Sequence, residues 1–263
     1  MTLFNMKTTP FIALLCAAGL VLTCGCNAKK EQSSFVGDKE RAEKGQADAQ
    51  ARMGARYASG QGVELDATEA FNWFRKAAEQ GHVDAQLQLG VRYHLGLGVR
   101  KDDTEAFNWY RKGAYEKHAL SQLQLGACYA NGEGVARDDQ EAVAWYKRAA
   151  NLGLAEAQYR LGVCFSEGRG VWRNDTETMR WILKAAEQNY AEAQNWLGDY
   201  YKKDFDYAEA YAWFCLAAKE HRRAAASRDS LETIITSKQL ADGKKRTEDL
   251  RAEIATGLKR GNK

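Results

Sequence analysis

The chain has 263 residues, 45% of them apolar and 28% charged, an ordinary soluble balance long enough for one extended domain. Net charge is +3 with acids and bases interspersed, which excludes the basic footprint that nucleic-acid binding leaves in a sequence. Pro10 is the only proline, so glycine must punctuate whatever helices the rest of the chain makes.

Lys7 and the apolar run from Phe11 to Thr23 read as a signal peptide over residues 1–25, because the run is too short to stay in a bilayer as a spanning helix. It ends in Leu22-Thr23-Cys24-Gly25-Cys26, which resembles a bacterial lipobox cleaved before Cys26 and lipidated on its thiol. The alternative is an ordinary secretory signal with a chance cysteine. Residues 26–37 are polar and expected to form a flexible tether, with the first helix starting near Asp38. Asn27, rather than aspartate, after the cysteine points by analogy with Gram-negative lipoproteins to the outer membrane, facing the periplasm. Without the lipid the product would be periplasmic or secreted. Cys128, Cys164 and Cys215 show no pairing pattern and read as small buried hydrophobes. A Cys128–Cys164 bridge is disfavoured by the spacing of neighbouring helices.

The rest of the chain repeats itself. GQGVELDATEAFNWFRKAAEQG, residues 60–81, returns four times in altered form, and Trp73, Trp109, Trp145 and Trp181 lie 36 residues apart, with Trp213 following after 32. Such a period predicts stacked helical repeats, here about 45–80, 81–116, 117–152, 153–188 and 189–221, leaving 222–263 for capping helices. Helix A of each copy pairs an apolar residue with an aromatic four positions on, as in Met53 and Tyr57 or Leu197 and Tyr201, making one helical stripe. Gly54, Gly90, Gly126, Gly162 and Gly198 stand between them. Each costs about 1 kcal/mol against alanine, which predicts a close approach that brings the helix B tryptophan against helix A. The G-x-G loop that follows is too short for a phosphate cradle and lacks both the strand and the GK[ST]. One glycine is expected to end helix A in the left-handed conformation, and Val63, Val99, Val135 and Val171 to plug the core.

Helix B opens with Asp66 and Glu69, Asp102 and Glu105, Asp138 and Glu141, or Asn174 and Glu177. This is capping-box spacing, and four helix caps are a better account of it than four catalytic dyads. Gln50, Gln86, Gln122, Gln158 and Gln194 form a ladder expected to bond backbone of the adjacent repeat. After His221 one helix is predicted up to Thr236. Ser237 is expected to cap a last one from Lys238 to about Leu258, apolar along Leu240, Leu250, Ile254 and Leu258.

The combination of Ala49, Gly54, Tyr57, Gly60, Gly62, Val63, Asp66, Glu69, Ala70, Trp73, Phe74, Ala77 and Ala78, renewed over roughly residues 47–221, closely resembles the Sel1-like repeat, a relative of the tetratricopeptide repeat. The fifth copy departs by losing G-x-G-V. The resemblance implies an all-α fold, a right-handed α/α superhelical solenoid of about five helix pairs with a C-terminal helical cap. It also implies a role as adaptor or scaffold for other proteins. A secreted branch of the family with a disulfide in each repeat is linked to penicillin binding, and this chain lacks those paired cysteines.

Function is then sought in what does not repeat. Trp172 replaces Glu64, Arg100 and Ala136; Trp196 replaces Arg52, Gln88, Gln124 and Arg160; Tyr200 replaces Arg56, Arg92, Cys128 and Cys164. With Arg56 and Arg92 these aromatics are the candidate partner-binding residues, since aromatics and arginines anchor interfaces. The alternative is that Trp196 and Tyr200 pack against the C-terminal helices. The expected function is a non-catalytic protein–protein interaction scaffold in the bacterial cell envelope. It would bind partners on the concave solenoid face and the membrane through Cys26, with no cofactor, metal, nucleic acid or small-molecule substrate. The opposed reading is an envelope enzyme of the penicillin-binding or β-lactamase-like kind. Against it, His82, His94, His118 and His221 have no metal-ligand spacing, and no G-x-S-x-G elbow occurs. A lipid-anchored brace without a defined ligand groove is a third reading.

Overall fold

Good helix formers fill the repeated apolar stretches, while glycine, asparagine and aspartate stand at their ends, and the backbone follows that division. The computed structural model describes the backbone of residues 26–256 and the side chains of residues 35–256. Residues 1–25, where a signal peptide is expected, the Cys26 thiol and Leu258 lie outside the described residues. Thirteen α-helices, and no strand, occur among the described residues. The first is α1 (Cys26–Glu43). Five pairs follow: α2 (Ala47–Ser59) with α3 (Ala67–Glu79), α4 (Val83–Leu95) with α5 (Asp103–Tyr115), α6 (Ala119–Asn131) with α7 (Asp139–Asn151), α8 (Ala155–Glu167) with α9 (Asp175–Ala186), and α10 (Ala191–Lys203) with α11 (Tyr207–Ala217). Then come α12 (Arg222–Glu232) and α13 (Ser237–Thr256). The fold is an all-α, helix-pair solenoid. The chain divides into two compact units, one of residues up to Ser121 with Glu133–Val135, the other of Gln122–Gly132 and everything from Ala136.

In the first unit the expected tether over 26–37 is instead the front of α1, which starts at Cys26 rather than near Asp38. The run from Ala28 to Gln32 holds only strong helix formers, and nothing before Gly37 interrupts it. Asp38 pins α1 onto α2. Its carboxylate accepts from Arg41 Nη2 at 3.0 Å, Arg52 Nε at 2.9 Å and Arg56 Nη2 at 3.1 Å. Burial pushes the Asp38 carboxyl up, but the guanidinium hydrogen bonds and charges outweigh it and hold the group below the usual carboxylate range. Gln50 Nε2 donates 3.2 Å to Ala42 O. The same bond, eight residues back, recurs in the second unit as Gln158 to Ala150 O at 3.2 Å and Gln194 to Ala186 O at 3.1 Å. The glutamine ladder therefore reaches the preceding helix as expected at these three positions, and α1 plays for the first repeat the part that a helix B plays for the next.

The glycines inside helix A mark a close approach, but the ring that enters is not the tryptophan. A Cβ on Gly54 would lie 2.8 Å from Phe74, and one on Gly198 would lie 2.5 Å from Phe214. Gly90, Gly126 and Gly162 likewise face Tyr110, Tyr146 and Ile182. In every copy the residue after the tryptophan fills the gap, because it lies one helical step of about 100° nearer helix A. Burying such a ring is worth about 2–3 kcal/mol, which outweighs the ~1 kcal/mol that glycine costs the helix.

The loops repeat a backbone lock. Gly60, Gly96 and Gly168 end helix A with φ near 70°, as expected. The second glycine serves the stacking of repeats: a Cβ on Gly98 would collide with the carbonyl of Ala67 at the start of α3, and one on Gly170 with that of Asp139 in α7. Val99 and Val171 pack, half-buried, on the cores of their own units. Only half of the expected capping box forms. Asp66 Oδ1 accepts from the N–H groups of Thr68 at 2.9 Å and Glu69 at 3.0 Å. The Asp66 N–H goes to Tyr57 O at 3.0 Å rather than to Glu69, and the same staple joins Asp102 to Tyr93, Asp138 to Tyr129 and Asn174 to Phe165. A backbone acceptor closes the loop there, which releases the glutamate: Glu177 Oε2 accepts from Trp181 Nε1 at 2.9 Å.

In the second unit the fifth pair keeps the staple despite its lost glycines, with Asp206 N–H donating to Tyr201 O at 3.0 Å. The shorter loop forces Phe205 to φ 60°, a conformation that disfavours non-glycine residues. Helices α12 and α13 then pack on α11. Arg246 reaches Glu209 at 2.7 Å and Glu253 at 2.8 Å, and Tyr211 O–H donates to Glu232 at 2.7 Å. Leu250 is buried with Trp213 and Leu197, while Ile254 and Leu240 pack at the edge. The cap of α13 is Thr236, one residue before the expected Ser237. Its Oγ1 accepts from Gln239 N–H at 3.2 Å, and Gln239 Oε1 accepts from Thr236 N–H at 2.9 Å. This is the reciprocal box, completed because an amide three residues on returns the bond.

Candidate functional site

The groups with catalytic potential are absorbed by the scaffold. His82 and His221 are helix N-caps, their Nδ1 atoms accepting from Ala85 and Ala224 N–H at 3.2 Å. The signal for this was their place immediately before an apolar-periodic run, where an imidazole nitrogen substitutes for the usual side-chain oxygen. His118 Nδ1 pairs with Ser121 Oγ at 2.9 Å, and its Nε2 lies 3.3 Å from Asp84. Burial pushes its pKa down against the opposing pull of Asp84. His94 pairs with Asp103 at 2.8 Å. Burial raises the Cys164 thiol to about 11, so it stays protonated and unreactive at neutral pH. The Tyr146 phenol, likewise buried, rises to about 12. Among the described residues no group of three or more His, Cys, Asp or Glu is placed to hold a metal ion. Nor is any helix among them long and apolar enough to cross a membrane.

Of the five candidate partner-binding residues, two are taken out of contention. Arg56 is bonded to Asp38 with its side chain 12% exposed. Arg92 is 4% exposed, and its guanidinium lies 4.9 Å over the Phe74 ring. Both positions looked open in the sequence because arginine is usually a surface residue. In the fold they lie on the face of helix A that meets neighbouring helices, and guanidinium groups packed on a ring or a carboxylate tolerate that burial.

The other three remain at the surface. Trp172 is 94% exposed, with no core of its own repeat beneath it. It stands in the loop between α8 and α9, where the second residue after each lock glycine is exposed, as at Glu64, Arg100 and Ala136. Trp196 and Tyr200 lie one turn apart on α10, with ring centroids 5.5 Å apart and planes inclined by 14°. Tyr200 meets Tyr201 edge-on at 5.4 Å and is 41% exposed. Trp196 also packs on the core that holds Leu250 and Ile254, so the alternative of packing toward the C-terminal helix accounts for part of its surface. The stack forms one wall of a cleft of about 530 Å³ between α8, α9 and α10, to which Arg173, Thr178, Met179 and Asp199 also contribute. Clefts of this size suit a small ligand or a side chain of a partner.

Two further residues of this cleft were not singled out from sequence. Asp199 stands where the other copies have Ala55, Val91, Ala127 and Val163, and Asp204 stands where they have Gly60, Gly96, Gly132 and Gly168. The same register comparison that found Trp196 and Tyr200 contains both, but a surface aspartate carries little signal alone. Asp199 receives Asn195 Nδ2 at 3.3 Å and lies 3.7 Å from Arg223. Arg173 is paired with Asp175 at 3.1 Å, a solvent-exposed bridge worth at most about 1 kcal/mol.

Comparison with known proteins places these features in a family context. The Sel1 repeat family model matches residues 47–82, 83–118, 119–154, 155–190 and 191–221. A Sel1 repeat protein of Oxalobacter formigenes of known crystal structure is 28% identical, over 88% of this chain and 96% of that one, with a TM-score of 0.73. An immunity protein of Pseudomonas aeruginosa is 25% identical over 80% of this chain and 81% of that one, with a TM-score of 0.51. A search of the curated proteins found no match.

Proposed function

The chain belongs to the Sel1 repeat family, and from that premise we propose that it is a non-catalytic scaffold that binds a partner protein at the fifth helix pair. Proteins of this family are typically protein-interaction scaffolds. Stacked helix pairs offer extended surface for such binding. The observation that carries the reading is the cleft beside α10. Its Trp196–Tyr200 stack and Asp199 replace residues that are basic, small or neutral in the other four copies. Residues needed for stacking recur with the period; of those that break it here, Trp196 answers in part to the C-terminal core, and the exposed side of the stack at Tyr200 is what remains for a partner. Trp172, held in water in the loop of the fourth helix pair, is the second anchor. Desolvating its indole against a partner would release the large apolar surface that makes tryptophan a frequent interface hot spot.

We place this scaffold in the bacterial envelope, anchored by a lipid on Cys26 to the outer membrane and facing the periplasm. Support comes from the apolar run ending in Leu22-Thr23-Cys24-Gly25-Cys26. A single acyl chain would hold the protein only reversibly, so several chains on one residue are expected. Metabolic labelling with an alkyne fatty acid tests this part: Cys26→Ser should lose the label and leave the membrane fraction. A Cys26→Ser protein that stays on membranes after carbonate washing would overturn it.

The binding part is tested by crosslinking in cells and identifying what is recovered with the chain. A partner recovered reproducibly with the native chain should be lost with Trp196→Ala/Tyr200→Ala and reduced with Trp172→Ala, each at unchanged protein level. Recovery indifferent to all three positions would contradict the assignment of the site. Turnover of a β-lactam or of peptidoglycan by the purified protein would contradict the non-catalytic reading.

A further inference from the structure

The cleft carries information about its occupant in the way this chain treats its other aromatic rings. Lys76 lies 4.2 Å over the Trp73 ring, Lys112 3.7 Å over Trp109, Arg148 4.0 Å over Trp145, and Lys184 4.6 Å over Trp181. Four helix B tryptophans are thus each covered by a cation from the chain itself. Among the described residues no lysine or arginine lies over Trp172, Trp196 or Tyr200. The difference is built into α10. Where Trp196 stands, two other copies have Arg52 and Arg160, and where Tyr200 stands, two have Arg56 and Arg92. Those arginines are engaged inside the scaffold with Asp38, Glu156 or the Phe74 ring. In the fifth copy the cations are gone, rings take their places, and a carboxylate has been added between them at Asp199.

The charges on the rim agree. Arg173 is neutralised by Asp175 at 3.1 Å. The side chains that line the cleft then leave Asp199 and Asp204 against Lys203, one acid in excess around an aromatic wall. Arg223 stands outside that lining, and its exposed contact with Asp199, at 3.7 Å, falls on Oδ2, the oxygen that also receives Asn195. A cation seated against an aromatic face and met by a carboxylate gains both from the ring quadrupole and from direct charge attraction. Resting on the reading of this cleft as the partner-binding site, we propose that it takes the guanidinium or ammonium group of an arginine or lysine side chain from an extended segment of the partner protein. The side chain lies against the Trp196–Tyr200 stack, and Asp199 and Asp204 meet its charge. The partner supplies the cation that the other repeats supply to themselves.

The test uses the full chain and three capped peptides, Gly-Gly-X-Gly-Gly with X as arginine, citrulline or glutamate. The readout is the NMR signal of the Trp196 indole N–H, assigned with Trp196→Phe. The arginine peptide should shift the signal saturably, and neutral citrulline, which keeps the shape, should bind about fivefold more weakly. Asp199→Asn should weaken the arginine peptide about threefold without changing the melting temperature. The proposal is overturned by equal binding of arginine and citrulline, by a stronger response to glutamate, or by no saturable shift. A shift that follows the concentration of the protein alone would assign the cleft to a second copy of the chain and also overturn it. If crosslinked partners still depend on Trp196 and Tyr200 while the arginine peptide fails, only this inference falls. If that dependence is absent too, the scaffold site falls with it.

Discussion

Replacing Gly198 by alanine sets two effects against each other at one atom. In an open helix position the change would gain about 1 kcal/mol from helix propensity. Here the new methyl would lie 2.5 Å from both Cδ1 and Cε1 of Phe214 and 3.0 Å from its Cγ. Ordinary carbon contacts are about 3.5–4.0 Å, so the ring must retreat by roughly 1 Å. It has little room to do so, because Phe214 is 0% exposed and packed with Ala210, Ala217 and Leu231. Overpacking of this kind costs about 1–3 kcal/mol, and the rigid surroundings favour the upper half of that range. The net expectation is a loss of about 1–2 kcal/mol. Urea unfolding followed by CD and by fluorescence reads it as a lower midpoint at unchanged slope. Gly37→Ala in α1 is the internal comparison. Its nearest neighbour would be Arg41 Nη2 at 3.9 Å, so it should be neutral or gain up to about 1 kcal/mol. Adding Phe214→Leu to Gly198→Ala should cost less than the sum of the two alone. A Gly198→Ala protein as stable as the native chain would refute the close-approach argument.

Lys117 holds φ 61° at the end of the second repeat, where the first repeat has Gly81 and the third Gly153. Lys117→Gly should therefore stabilise the protein by about 0.5–1 kcal/mol, the relieved strain being partly offset by a freer unfolded chain; a loss of stability in urea would contradict this. The His118 pKa is lowered by burial, so its folded state favours the neutral ring. Stability from this group is complete above its unfolded value near 6.5 and is lost as pH falls through the folded value. The stability difference between native and His118→Gln protein should therefore move against the native chain between pH 7.5 and pH 5.5, and the opposite trend would reject the assignment. Trp172→Ala should leave urea stability within about 0.5 kcal/mol, because a side chain in water contributes little to the fold. A larger loss would mean that the indole has a structural contact.

The repeats were legible because their helix pairs use few kinds of junction, and each junction leaves the same residue types at the same spacing. The glutamine ladder could be read this way, since a buried amide repeated with the period needs an equally periodic backbone partner. Reading failed where the sequence names a residue but not its direction. Gly54 and its equivalents announced a gap, yet only the helix rotation shows that Phe74, not Trp73, fills it. Asp66 and Glu69 have capping-box spacing, but the Tyr57 carbonyl claims the bond that Glu69 was expected to make. Arg56 and Arg92 occupy the position that Tyr200 takes in the fifth copy, and as arginines they read as surface residues just as Tyr200 did. Whether that position faces water or a neighbouring helix depends on packing, and Asp38 and Phe74 were the neighbours that decided it. The candidate cleft was half legible: its rings stood out by size, whereas Asp199 and Asp204 mattered only once the fold had put them beside those rings.

The central claim, that this scaffold binds its partner through the aromatic cleft of its fifth helix pair, is tested most directly by a photo-crosslinking amino acid placed at residue 200 in living cells. The same probe at residue 64, the first-repeat counterpart of Trp172, serves as the comparison. One discrete adduct is expected from position 200 and none from position 64, and the adduct should weaken when Trp196→Ala is added. A chain that crosslinks equally from both positions, or from neither, would contradict the account.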